Sequence, residues 1–205
     1  KFERQAMVNE QIDKENKLAL FYGGGDESEI SKISKDYIAN LLSKNDHFDE
    51  VMIIKIDKDN QMWINDKKCS ITHQGLLIDG SFYKVAYAIP CIHGFPGESG
   101  HLQAILDLHE IPYLGSSSES SQMCFNKATT KLWAEKASIK TCPFIILTGS
   151  DEKNLKNAEI FYQQHNEVYI KASSQGSSIG CYKITKNDHN KLIESIKKSF
   201  KLSEY

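Results

Sequence analysis

The chain has 205 residues, of which 40% are hydrophobic and 25% charged, with a formal net charge of −2. That length suits one large or two small domains, and the near-neutral balance gives no reason to expect nucleic acid or an acidic membrane surface as a partner. No apolar run reaches membrane-helix length, the first residues are charged rather than signal-like, and five scattered cysteines (Cys69, Cys91, Cys124, Cys142 and Cys181) lack metal-type pairs and read as reduced cytosolic thiols.

In chain order, residues 1–16 are polar and weakly patterned and are expected to be an extension. Residues 17–22 (K-L-A-L-F-Y) form a short apolar run that ends in Gly23-Gly24-Gly25, which predicts a buried strand and a glycine turn. Ile30, Ile33, Tyr37 and Leu41 recur at helical spacing, with Asp26 and Glu27 suited to a helix start. Residues 51–56 predict a second strand, Lys58-Asp59-Asn60 a turn, and 61–64 a returning hairpin strand. A further strand is predicted over 83–92, ending at His93-Gly94. Leu102, Ile105, Leu106 and His109 mark a helix starting near Ser99, and residues 111–115 a short strand. This alternation predicts an α/β unit with a mainly parallel sheet. Functional residues then collect at the carboxyl edge, where Glu27, His93 and Glu98 fall just after strand ends.

A second unit is expected from Asn126 onward. Ala128, Leu132, Trp133 and Ala137 mark a helix, 141–147 a strand, 155–164 a helix, and 168–171 and 181–184 two strands. Asn187 or Asp188 caps a last helix whose face is Leu192, Ile193, Ile196 and Phe200. The pattern reads as a small α+β subdomain. Between its two strands lies the loop Ala172-Ser173-Ser174-Gln175-Gly176-Ser177-Ser178-Ile179-Gly180, entered from Lys171. Small residues let the main chain approach an anion, and a lysine adds a point charge for phosphate oxygens. The same residues would also serve as a plain surface turn. With Ile179 its sole apolar anchor, the loop is expected to be mobile over 173–178 without an anion. The chain starts without methionine and stops soon after the last helix, so part of a longer protein is expected.

Four segments are collinear with one family. Tyr22-Gly23-Gly24-Gly25-Asp26-Glu27-Ser28-Glu29-Ile30-Ser31 resembles G-G-x-S-x-E-x-E-V-S. Cys91-Ile92-His93-Gly94-Phe95-Pro96-Gly97-Glu98-Ser99-Gly100-His101-Leu102-Gln103 resembles L-H-G-x-x-G-E-D-G-x-L-Q and is the most specific match. Ile111-Pro112-Tyr113-Leu114-Gly115-Ser116 with Phe125-Asn126-Lys127 resembles I-P-Y-x-G-S…M-D-K, and the loop resembles V-K-P-x-x-x-G-S-S-V-G. The chain thus resembles the D-alanine–D-alanine ligases of the ATP-grasp superfamily over nearly all of residues 17–205. The departures are Tyr22 and Gly25 for Gly and Ser, Ser99 for Asp, Asn126 for Asp, Ala172 for Pro, and Gln175 for Glu.

The resemblance implies a Rossmann-like pre-ATP-grasp domain over 17–125 and a central ATP-grasp subdomain over 126–205, without the C-terminal part of that fold. It implies a cytoplasmic ligase of peptidoglycan synthesis that uses ATP, Mg2+ and D-alanine, with a homodimer as a compatible assembly. By resemblance, Glu27 pairs with the ammonium of the first D-alanine, and Ser177 joins Glu27 in a hydrogen-bonded triad. His93 and Glu98 serve the substrate. Lys127, Lys171, Gly176, Ser177 and Ser178 hold ATP phosphates, and the Mg2+ ligands fall beyond Tyr205. The truncated chain itself is then expected to be inactive. An ordinary role stands beside each residue: helix-start charge for Glu27, a structural histidine for His93, a helix cap for Glu98, surface lysines, and turn chemistry for Ser177. Another ATP-grasp carboxylate–amine ligase, or a non-catalytic nucleotide-binding relative, are the alternatives.

Overall fold

A computed structural model describes residues 16–24, 28–44, 46–176, 178–186 and 188–202. The chain divides after Ser118 into two compact units.

The first unit opens with β1 (Lys17–Gly23) and α1 (Ser28–Leu42), followed by β2 (Glu50–Ile56), β3 (Met62–Ile64), β4 (Lys67–Thr72), β5 (Gly75–Ile78), β6 (Ser81–Pro90) and α2 (His101–Leu108). β1 is parallel to both β2 and β6, whereas β2 to β6 run antiparallel to one another in sequence order. The six strands close into a ring. The expected mainly parallel sheet is therefore corrected: only the two ladders on β1 are parallel. The cause is four chain reversals between β2 and β6, two of them tight left-handed turns. Asn65-Asp66 and Asp79-Gly80 all have positive φ, the left-handed pairs that fold a chain straight back on itself. β4 and β5 have no counterpart in the sequence-based expectations, although Asp-Gly is a strong hairpin signal. Residues 111–115 make a single parallel bridge, Tyr113 to Ala88, rather than a strand.

The apolar run of β1 is continuous because both of its faces are covered. Ala19 and Phe21 join one core with Ile54, Leu76, Leu102 and Leu106. Leu18 and Leu20 face the other way, toward Ile38, Ala39 and Leu42 of α1. Burying each of those two leucines contributes about 2 kcal/mol. α1 forms where helical spacing placed it, but Ile30, Ile33, Tyr37 and Leu41 are 48%, 69%, 66% and 52% exposed. Its inward face is Ser31, Ile38, Ala39 and Leu42 instead.

The second unit contains α3 (Ser118–Phe125) from its second residue, α4 (Lys127–Lys136), α5 (Glu152–His165), β7 (Val168–Lys171), β8 (Cys181–Ile184) and α6 (His189–Leu202). β7 and β8 form an antiparallel hairpin. Ala158 and Tyr162 of α5, Val168, Ile184, and Leu192 and Ile196 of α6 make one core. Tyr162 ties α5 to the entry of α6: its hydroxyl donates to the Thr185 carbonyl (2.6 Å) and accepts from the Asp188 N–H (3.0 Å). Residues 141–147, expected as a strand, form none. Leu147 packs against the core, while Ile145 and Ile146 stay exposed.

Candidate functional site

In the first unit, the carboxyl ends of the three parallel strands meet. The Gly24 N–H donates to the Ile56 carbonyl at the end of β2 (2.9 Å). The Cys91 N–H donates to the Phe21 carbonyl of β1 (2.7 Å). Ser31, fully buried on α1, closes the junction: its hydroxyl accepts from the Gly23 N–H (2.8 Å) and donates to the Cys91 carbonyl (2.5 Å). One turn along α1, Ser34 Oγ lies 3.1 Å from His93 Nε2, the donor being set by the ring's tautomer. Two serines on one helix face thus hold the segment that carries His93. Removing the Ser31 hydroxyl leaves a buried N–H and a buried carbonyl unpaired. Ser31→Ala should therefore cost the first unit about 2–4 kcal/mol. Urea unfolding read from Trp63, with Trp133 replaced by Phe, checks this; a cost under 1 kcal/mol would mean that other groups hold the junction.

Beyond His93 the chain turns tightly. A Cβ on Gly97 would lie 2.4 Å from the Ile92 carbonyl oxygen, so glycine is required there. The Gln103 amide donates to the Gly97 carbonyl (2.7 Å). Ser99, where the family pattern has Asp, hydrogen-bonds His101 Nδ1 (2.8 Å), and the His101 ring meets Phe95 edge-on with centroids 4.9 Å apart. Glu98 is exposed, and its N–H donates to the Gly94 carbonyl (2.7 Å). The residue capping α2 is Gly100, with no side-chain cap bond, so Glu98 is not the cap that one reading assigned to it. Glu27 lies outside the described residues, as does Ser177.

In the second unit, Lys171 ends β7 opposite Cys181 on β8. Asn126 caps α4, its Oδ1 accepting from the Thr129 N–H (3.0 Å), and Lys127 follows as the first helical residue. The Lys127 N–H donates to the Ser173 carbonyl (2.8 Å) and its Nζ to the Gln175 carbonyl (2.5 Å). Burial lowers the pKa of Lys127, and the like charge of Lys171 lowers it further. The two lysines therefore sit close enough to repel across the mouth of the loop. A dianionic or trianionic group there would relieve both of them. Ser178 and Gly180 adopt positive φ within the same loop. Among the described residues, no group of three His, Cys, Asp or Glu side chains is placed to hold a metal.

No protein-family model matches the chain. The D-alanine–D-alanine ligase of Aliivibrio fischeri strain MJ11 is 38% identical over 192 residues, which are 91% of this chain and 57% of that protein. The crystal structure of D-alanyl-alanine synthetase A from Vibrio cholerae superposes with a TM-score of 0.86 at 33% identity, covering 94% of this chain and 58% of that one. The D-alanine–D-alanine ligase structure from Aeromonas hydrophila gives 0.75 at 34% identity, covering 89% and 59%. Along nearly its whole length the chain is similar to these D-alanine–D-alanine ligases. It spans a little over half the length of the curated relatives it matches.

Within the ligase pattern, several departures now have partners. Tyr22, for Gly, lies under the Lys35 ammonium, 5.0 Å from ring centroid to Nζ. Ser99 has His101. The sequence reading did not single out Ser31, Ser34 or Gln103. Ser31 and Gln103 close the two ligase motifs in unit 1, and that placement was the available signal; Ser34 had none beyond its spacing one turn after Ser31. No helix among the described residues is long and apolar enough to cross a membrane.

Proposed function

We propose that the protein to which this chain belongs is a cytoplasmic ATP- and Mg2+-dependent ligase that joins two D-alanines for peptidoglycan precursors. The observation that carries this reading is the clustering of the ligase motifs: two at the shared strand ends of the first unit, two around Lys127 and Lys171 in the second. Residues 17–125 act as the pre-ATP-grasp domain and 126–205 as the central ATP-grasp subdomain. A carboxylate oxygen of the first D-alanine takes the γ-phosphoryl group of ATP and releases ADP. The amine of the second D-alanine then attacks the acyl carbon, expels phosphate and loses a proton. Lys127 and Lys171 hold the phosphates, with the Gly176, Ser177 and Ser178 backbone beside them; such transfer depends on positioning and positive charge. Glu27 receives the ammonium of the first D-alanine, and Ser177 serves the phosphate loop. His93, steadied by Ser34, lines the substrate side with Glu98. Magnesium, when bound, would neutralise the phosphate charge.

The full-length protein should release phosphate from ATP in a D-alanine-dependent way, and the isolated 205-residue chain should not. A full-length protein that binds ATP yet releases no phosphate with any D-amino acid would overturn this reading.

A further inference from the structure

Three departures from the ligase pattern converge on one loop. Ala172, for Pro, is 2% exposed, and its N–H donates to the Gly180 carbonyl (2.9 Å). This bond extends the hairpin one step past the Lys171–Cys181 pair. Proline has no N–H and could not make it. Gln175, for Glu, donates from Nε2 to the Leu202 carbonyl at the end of α6 (2.8 Å). A carboxylate is acceptor-only and would repel that oxygen. Asn126, for Asp, uses both ends of its amide: Oδ1 caps α4, and Nδ2 donates to Ser174 Oγ (3.3 Å). Lys127 adds its bonds to the Ser173 and Gln175 carbonyls, and Ser199 Oγ donates to the Gly180 carbonyl (3.4 Å). These bonds end on loop carbonyls or involve loop side chains. None of them consumes an N–H of Ser173, Ser174, Gln175 or Gly176, the groups that an anion would take. Beside its apolar anchor Ile179, the loop thus has hydrogen-bond anchors at both of its ends.

We propose that Asn126, Ala172 and Gln175 are positioning residues that hold the phosphate loop in its binding shape before nucleotide arrives. What the loop faces rests on the ligase reading; that it is held does not. A loop already fixed by donors of its own chain has less backbone freedom to lose when a ligand binds.

The test uses the full-length protein without nucleotide and two kinds of variant. Ala172→Pro removes the hairpin bond, and Gln175→Leu removes the tether without adding charge. Gln175→Glu then adds the repulsion. Amide exchange at Ile179 and Cys181 reports the loop, because their N–H groups bond the Gly176 and Ser178 carbonyls within it. Exchange should quicken about tenfold in each of Ala172→Pro and Gln175→Leu, and more in Gln175→Glu. Affinity for a fluorescent ATP analogue should fall about tenfold in parallel. Unchanged exchange in both Ala172→Pro and Gln175→Leu overturns the proposal. Faster exchange with unchanged nucleotide affinity also overturns it, since the anchors would then be structural only. If the unaltered protein binds no nucleotide, the ligase reading is what fails, and the exchange rates still decide whether these residues hold the loop.

Discussion

Replacing either Lys127 or Lys171 with alanine in the full-length protein should lower D-alanine-dependent phosphate release by about 100-fold or more. Each lysine supplies a fixed positive charge where phosphoryl transfer spreads negative charge, and the remaining lysine alone leaves half of that charge unmatched. The pH dependence separates the two. Burial and the Lys171 charge hold the pKa of Lys127 below its ordinary value. The cost of keeping Lys127 charged is fully present below that lowered pKa. It is relieved as pH rises toward the unfolded value of 10.5, because in that window the unfolded chain binds more protons. Nucleotide binding has the opposite sign. Phosphate prefers the ammonium form, so affinity should fall as pH climbs through the lowered pKa, with proton uptake on binding in that range. Lys171→Ala removes the repulsion and should move this fall to higher pH. Titration calorimetry in buffers of different ionisation enthalpy measures the proton uptake. An affinity that is flat up to the ordinary lysine range would place Lys127 away from the phosphates.

Gly23→Ala should be the most damaging small substitution in the first unit, costing about 4 kcal/mol or more. Gly23 has φ +103, outside the range that L side chains adopt, and an added Cβ would lie 2.2 Å from the Ile56 carbonyl oxygen. That oxygen cannot move aside freely, because it accepts the Gly24 N–H at 2.9 Å. The Gly23 N–H itself is bonded to Ser31. The strain therefore spreads through β2 and α1 at once. Gly80→Ala is the control: it has φ +79 but open space around its Cβ, and should cost about 1–2 kcal/mol. Urea unfolding read from Trp63 in the Trp133→Phe background compares them. Equal costs would show that the left-handed backbone, rather than the contact with Ile56, is what requires glycine at Gly23.

Local signals carried much of this molecule. The run Leu18-Ala19-Leu20-Phe21 predicts a buried strand because four successive apolar residues cannot all be satisfied by one covered face, and β1 is indeed covered on both. The glycines after it and the Ser/Gly loop after Lys171 mark backbone that side chains would obstruct. Element type was legible for α1, α5, α6, β7 and β8 for the same reason: hydrophobic period and turn residues act within a few positions. The ligase motifs are likewise local strings, and four in order sufficed to reveal the likeness to the D-alanine–D-alanine ligases.

Pairing across distance was not legible. Nothing in residues 67–90 tells β6 to run beside β1 rather than at the far edge of an open sheet; the ring closes because successive reversals bring the chain back and burial of Leu76 and Val85 rewards it. The spacing of Ile30, Ile33, Tyr37 and Leu41 defined a helix but not which side would meet β1. That side was chosen by Ser31, whose hydroxyl fits between the Gly23 N–H and the Cys91 carbonyl, 60 residues from Ser31. Residues 141–147 have strand character but find no ladder among the described residues, since a strand is completed by its neighbour and not by its own composition. The sequence by itself determined most of the helices, β1, β2 and the β7–β8 pair, the glycine positions and the likeness to the ligases. The tertiary structure decided which faces are buried and which groups donate to the phosphate loop, because hydrogen bonds between residues far apart in the chain exist only once folding has brought them within 3 Å or so of each other.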